Sequence, residues 1–191
     1  MLEIRNKLIV FTGPSGAGKD TIEAELIKTL PLQKVVTTTT RPMREGEVDG
    51  VDRHFVSKKE FKGLIKDDAL IEHNYFNDHY YGTQYKDMDV PRRESKIPII
   101  DVDPNEANNI QNRNPDALVI FLKPASLEVL KKRMIIRGQS MEEIALRMEL
   151  AKKAMEKESV FSYSVTNKEG HLQDAVKNVK KIVLEYLDLG K

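Results

Sequence analysis

An α/β fold, a parallel sheet covered by helices on both faces, is predicted by three features of this chain. Leu8-Ile9-Val10-Phe11 runs directly into a glycine-rich turn and then a stretch of helical period. Ile97-Pro98-Ile99-Ile100-Asp101-Val102-Asp103 and Ala117-Leu118-Val119-Ile120-Phe121-Leu122 are apolar nearly throughout, as strands buried on both faces are. Amphipathic stretches separate these runs, and strands alternating with helices imply parallel pairing, with ligands at the strands' carboxyl ends. At 191 residues and 40% hydrophobic, the chain can bury about 70% of its unfolded surface, which suits one domain.

After the first strand, Gly13-Pro14-Ser15-Gly16-Ala17-Gly18-Lys19-Asp20-Thr21 has the spacing of a phosphate-binding loop. Glycines let backbone N–H groups approach a polyphosphate, and the helix N-terminus and Lys19 add positive potential. The motif places an Mg²⁺-binding hydroxyl after the lysine; here Asp20 stands there and Thr21 brings the first hydroxyl. A carboxylate also binds Mg²⁺, so Asp20 is a metal candidate. Ile22, Leu26, Ile27 and Leu30 predict a helix up to Pro31.

Residues 37–53, with two glycines and a proline, interrupt the core pattern before a short strand over His54-Phe55-Val56-Ser57. Ser57 with Glu60 forms a capping box for a helix to about Asp67. A hairpin joins Ile71-Glu72-His73 to Tyr80-Tyr81-Gly82 through Asn77-Asp78. Beyond the two buried strands, Ser126 caps a helix to Arg137, Gly138-Gln139 links it onward, and Ser140 with Glu143 starts a helix to about Glu158. Tyr163-Ser164-Val165-Thr166 is the last strand, and Leu172, Ala175, Val176, Val179, Ile182, Val183, Tyr186 and Leu187 mark a final amphipathic helix. The polar stretch 37–90 reads as a substrate-binding insertion.

Thirty-one Lys and Arg balance thirty Asp and Glu, so nothing in the net charge of +1 suggests a nucleic-acid or anionic-membrane binder. There is no cysteine, which excludes disulfides and thiolate zinc sites, and His54, His73, His79 and His171 lack metal-ligand spacing. No segment has the ~20 apolar residues of a membrane span, and a cytoplasmic location is expected.

The segment 38–57, TTTRPMREGEVDGVDRHFVS, together with Ile71-Glu72, Tyr81-Gly82-Thr83, Asp101-Val102-Asp103, Arg133, Arg137-Gly138, Arg147 and Asn167, resembles the guanylate kinase family, and the resemblance covers nearly the whole chain in order. It implies a P-loop sheet core (1–33, 97–136 and 149–191) with an inserted nucleoside-monophosphate-binding subdomain (34–96) and a short lid (137–148). It implies ATP and GMP as small-molecule partners, Mg²⁺ as cofactor, and a monomer or homodimer.

The residues agree chemically. Arg41 and Arg44 lie on a Pro- and Gly-containing loop and suit a phosphate; the resemblance implies that they hold GMP with Tyr81. Guanine offers N1–H and N2–H₂ as donors and O6 as acceptor, which a carboxylate and a hydroxyl match; Glu72 and Thr83 supply that pair. By resemblance, Thr37 and Asp103 complete the base pocket and Asn167 contacts the ATP adenine. Arg133 and Arg137, four apart on one helix, repel unless an anion lies between them, and a transferring phosphoryl group is such an anion. Arg147, one helix later, joins Arg137 on the lid. Asp101, at a strand end, is the second Mg²⁺ candidate.

Three positions depart from the family pattern: Asp20 for serine, Arg53 where a phosphate-binding tyrosine is expected, and Pro-Asn-Glu after Asp103. Arg53 keeps the capacity to hold a phosphate. The Lys-Asp loop ending also resembles the ribose 1,5-bisphosphate kinases, which lack a base pocket. The alternatives are a kinase for a different phosphorylated acceptor, another nucleoside monophosphate or ribose 1,5-bisphosphate, and a catalytically silent phosphoprotein-binding module.

Overall fold

The computed structural model describes residues 7–136 and 138–187. The chain runs β1 (Ile9–Thr12), α1 (Lys19–Ile27), β2 (Leu32–Lys34), β3 (Thr37–Thr39), β4 (Arg53–Phe55), α2 (Lys58–Lys66), β5 (Leu70–Phe76), β6 (His79–Gln84) and α3 (Tyr85–Arg93). It continues with β7 (Ile97–Asp101), α4 (Pro104–Arg113), β8 (Leu118–Pro124), α5 (Leu127–Ile136), α6 (Met141–Glu156), a 3-10 turn at Glu158–Val160, β9 (Tyr163–Asn167) and α7 (Leu172–Tyr186). Two compact units form, one mainly from Pro31–Ile99, the other from Leu8–Leu30 and the chain from Ile100 onward.

In the second unit β1, β8 and β9 pair in parallel, with Ile9 opposite Leu118 and Ile120 opposite Tyr163. Just past β7, Val102 donates its N–H to the Phe11 carbonyl at 3.0 Å. Every residue of β1 is buried, and β8 is buried except at Lys123, as continuous apolar runs require. Phe121 stacks on Phe161 with ring centroids 5.7 Å apart. Leu130, Met134, Ile144 and Ala151 form the seam between α5 and α6. At the far end of α7 the Tyr186 hydroxyl accepts the Leu8 N–H at 3.2 Å and donates to the Asp116 carbonyl at 2.7 Å.

The first unit holds a four-stranded sheet in the order β4-β3-β6-β5. β3 and β4 are parallel, and the other pairs antiparallel. The β5–β6 hairpin turns through Asn77 and Asp78, both at positive φ (47° and 63°), the twist that a two-residue hairpin favours. Phe61 of α2 is fully buried and stacks on Tyr80 at 5.2 Å. β2 pairs in parallel with the start of β7, Leu32 opposite Ile97.

Both expected capping boxes form, at Ser57/Glu60 and Ser140/Glu143, so those helices start where the sequence places them. α1 ends at Ile27, short of Pro31, because a residue preceding proline is disfavoured in the helical region. α3, α4, β2 and β3 were not anticipated. α4 carries a readable signal, with Asp103 as N-cap and Pro104 at the first helical position. α3 has no side-chain cap and holds Pro91, while β3 is three threonines in a polar stretch.

Because the Ser57 hydroxyl accepts the Glu60 N–H and the Glu60 carboxylate accepts the Ser57 N–H, Ser57→Ala should lower stability by about 1 kcal/mol, read as a lower urea midpoint with unchanged slope.

Candidate active site

In the second unit the glycine-rich turn between β1 and α1 is a backbone structure stabilised through its carbonyls. Gly13 and Gly18 have φ of 125° and 95°, and a Cβ on Gly13 would lie 2.0 Å from the Leu122 carbonyl oxygen. On Gly18 it would lie 2.3 Å from the Asn167 side-chain nitrogen, so only glycine fits at either position. Lys19, the first residue of α1, folds back so that Nζ donates to the carbonyls of Gly13 (2.8 Å) and Pro14 (3.2 Å). Arg133 of α5 donates to the Gly16 carbonyl at 3.2 Å, and Asn167 at the end of β9 donates to that of Ala17 at 2.9 Å. With these carbonyls engaged, the turn has the form of an anion nest at a helix N-terminus.

The other described candidates of this unit fall on α1, α4, α6 and the ends of β7 and β9. Arg147 of α6 donates to the Ser15 hydroxyl at 3.2 Å. Asp101 ends β7 with its carboxylate 3.6 Å from Lys19 Nζ. Asp20 and Thr21 are exposed on the first turn of α1. Asp103 is engaged as the cap of α4, accepting the N–H groups of Asn105 (2.7 Å) and Glu106 (3.2 Å). Asn167 is buried, its amide held by the loop. Arg137 lies outside the described residues.

In the first unit Arg41 is buried, with its guanidinium 5.4 Å from the Phe55 ring centroid. Glu47 grips it end-on, with contacts of 2.7 and 2.5 Å, and the Pro42 carbonyl takes a further proton at 2.8 Å. Those contacts use three of the five guanidinium donors and leave Nε–H with one Nη2–H, the side-on fork that matches a phosphate. Glu47 also accepts the backbone N–H of Arg44 at 2.8 Å, so one carboxylate orders both loop arginines. Hydrogen bonding from Arg41, then from Arg44, pulls Glu47 down to about 2. Arg44 is exposed and Tyr81 half-buried on β6. Glu47 was missed by sequence reasoning; it is one of four carboxylates, with Glu45, Asp49 and Asp52, in a loop of alternating charge, and nothing in the sequence singles it out as the partner of Arg41.

Four more expected residues fall on the sheet of this unit. Thr83, fully buried on β6, donates its hydroxyl to Glu72 of β5 at 2.6 Å. Arg53 of β4 donates to the Thr37 hydroxyl of β3 at 2.5 Å. Thr37 is paired with Arg53, and Glu72 with Thr83.

A family model described as guanylate kinase matches residues 5–186. Guanylate kinases of Clostridium perfringens (strain SM101 / Type A) and Chlorobium luteolum are 40% and 36% identical to the chain. The first alignment covers 94% of this chain and 83% of the relative, the second 97% and 95%. The crystal structure of guanylate kinase from Anaplasma phagocytophilum has the same fold, with a TM-score of 0.74 at 23% identity over 96% of this chain and 87% of that one.

The Arg41–Glu47 pair carries a pH signature. Glu47 titrates at about 2 when folded against an ordinary 4.5, so its pairing stabilises the fold fully above about 4.5 and is lost as pH falls through 2. Urea midpoints measured from about pH 5 to 2 should fall more steeply for the wild type than for Glu47→Gln; parallel curves would contradict the pairing.

Proposed function

We propose that this chain, which belongs to the guanylate kinase family, transfers the γ-phosphoryl group of ATP to GMP, and to dGMP, yielding ADP and the nucleoside diphosphate. The observation that carries the reading is the Glu72–Thr83 pair, a carboxylate beside a buried hydroxyl, on the sheet whose strand β3 runs into the loop that carries Arg41. Adenine would present an acceptor and a donor in the wrong places to such a pocket and leave buried polar groups unpaired. No residue is assigned to the ribose 2′-hydroxyl, hence the expectation for dGMP.

The chemistry asks for position and charge rather than a base. A phosphate oxygen of GMP is already ionised at neutral pH, so it attacks the γ-phosphorus in line and ADP leaves. Gly13, Pro14, Ser15, Gly16, Ala17, Gly18, Lys19, Asp20 and Thr21 form the ATP phosphate site, with Lys19 supplying the cation and Asn167 serving through the loop it braces. Arg133, Arg137 and Arg147 neutralise charge on the transferring group. Arg41, Arg44 and Tyr81 hold the acceptor phosphate, and Thr37, Glu72, Thr83 and Asp103 the base. Residues 34–96 act as the acceptor subdomain and 137–148 as the lid, in a cytoplasmic monomer or homodimer. Among the described residues no helix is long and apolar enough to cross a membrane.

Mg²⁺ fits the donor set. Among the described residues no cluster of three metal-ligating side chains occurs, while Asp20 and Asp101 offer hard carboxylate oxygens at the loop helix and the adjoining strand end. Magnesium is usually held by one or two carboxylates together with substrate phosphates. When bound, it would neutralise charge on the ATP phosphates.

ADP release from ATP-Mg²⁺ should be rapid with GMP and dGMP and at least about a hundredfold slower with AMP, UMP, CMP or ribose 1,5-bisphosphate. Preference for another acceptor would reassign the substrate, and no turnover with any would favour the phosphoprotein-binding module. Lys19→Ala should lower kcat by roughly a hundredfold or more; near-normal turnover would end its catalytic assignment. Glu72→Gln should raise KM for GMP by at least about tenfold while leaving KM for ATP unchanged.

A further inference from the structure

We infer that Arg53 is a specificity-determining residue that acts through Thr37, setting that hydroxyl as a hydrogen-bond donor and so selecting a base with an oxygen at position 6. The inference rests on the guanine-nucleotide reading above and gives Arg53 a different task from the phosphate contact expected of that position in the sequence.

Strand register places the residues concerned in one row. Arg53 is opposite Thr37 between β4 and β3, and Thr83 is opposite Glu72 between β6 and β5. β3 and β6 are antiparallel with Thr38 opposite Gly82 and Thr39 opposite Tyr81, so one step further Thr37 stands opposite Thr83. Directly opposed residues share a face of a sheet. Arg53, Thr37, Thr83 and Glu72 therefore cross all four strands in sequence on one face, with a guanidinium at one edge and a carboxylate at the other.

The charged ends decide the polarity of the hydroxyls between them. A guanidinium has donors only, so the 2.5 Å contact makes Thr37 Oγ1 the acceptor and leaves its own proton to point elsewhere. Thr83 donates to Glu72 at 2.6 Å, so the lone pairs of its oxygen are left to accept. Along the row Thr37 keeps a proton that Arg53 cannot take, while Thr83 Oγ1 and the Glu72 carboxylate carry the accepting oxygens. The guanine edge reads acceptor O6, then donors N1–H and N2–H₂. The match is directional, and a tyrosine at position 53, whose hydroxyl both donates and accepts, would not force the same polarity on Thr37.

The test compares GMP, IMP and the 5′-monophosphate of 2-aminopurine riboside, which lacks O6, as substrates or as inhibitors competing with GMP. In Arg53→Met, kcat/KM for GMP and IMP should fall roughly tenfold while apparent affinity for the 2-aminopurine nucleotide stays within about twofold, an internal control for folding. Arg53→Lys, which keeps a donor, should recover part of the loss. Thr37→Val should show the same selective loss, and adding Arg53→Met to it should change little further. An equal loss on all three nucleotides would make Arg53 a phosphate ligand and overturn the inference, as would unchanged kinetics or additive losses in the double variant. A wild-type enzyme with no preference for GMP over AMP would instead overturn the guanine reading, and this inference with it.

Discussion

The donor site depends on where a few backbone carbonyls point. A turn can offer N–H groups to a polyphosphate only if its carbonyl oxygens are satisfied elsewhere, since both groups belong to the same peptide planes. Here Lys19, Arg133 and Asn167 engage four of them, at Gly13, Pro14, Gly16 and Ala17. The glycines make room for these braces: a side chain at Gly18 would occupy the position of the Asn167 amide. Residues that look like ligand contacts in the sequence thus also support the loop.

A second constraint is charge. The net charge is only +1, yet arginines and a lysine are gathered where anions are expected. Such cations need counter-charges and orientation when buried. Glu47 supplies both for Arg41, filling one edge of the guanidinium and leaving the other, and Asp101 lies 3.6 Å from the Lys19 ammonium. Electrostatic preorganisation of this kind is the main resource in phosphoryl transfer, where the protein has little covalent chemistry to perform.

Much of this was legible in the residues. The glycine loop, the buried strands and the capping boxes are local signals whose physics operates within a few residues, and Ser57/Glu60 and Ser140/Glu143 start their helices as read. Short elements held by tertiary pairing were not legible. β3 is three threonines that become a strand because β4 and β6 flank them, and α3 has neither a side-chain cap nor a proline-free interior to announce it. Asp103 is expected at the base by resemblance; that its carboxylate also caps α4 was signalled only by Pro104 after it.

The chain by itself determined the fold class and the phosphate loop, because the spacing of glycines and apolar residues carries those directly, and its resemblance to a family named the candidate guanine-nucleotide residues. Only the tertiary structure decided the partners. That Arg41 faces Glu47, that Asn167 holds the loop, and that Arg53, Thr37, Thr83 and Glu72 form one row follow from strand register and helix placement, which bring together residues as far apart as Ala17 and Asn167. Hydrogen-bond polarity is a property of such pairs, and no residue read alone contains it.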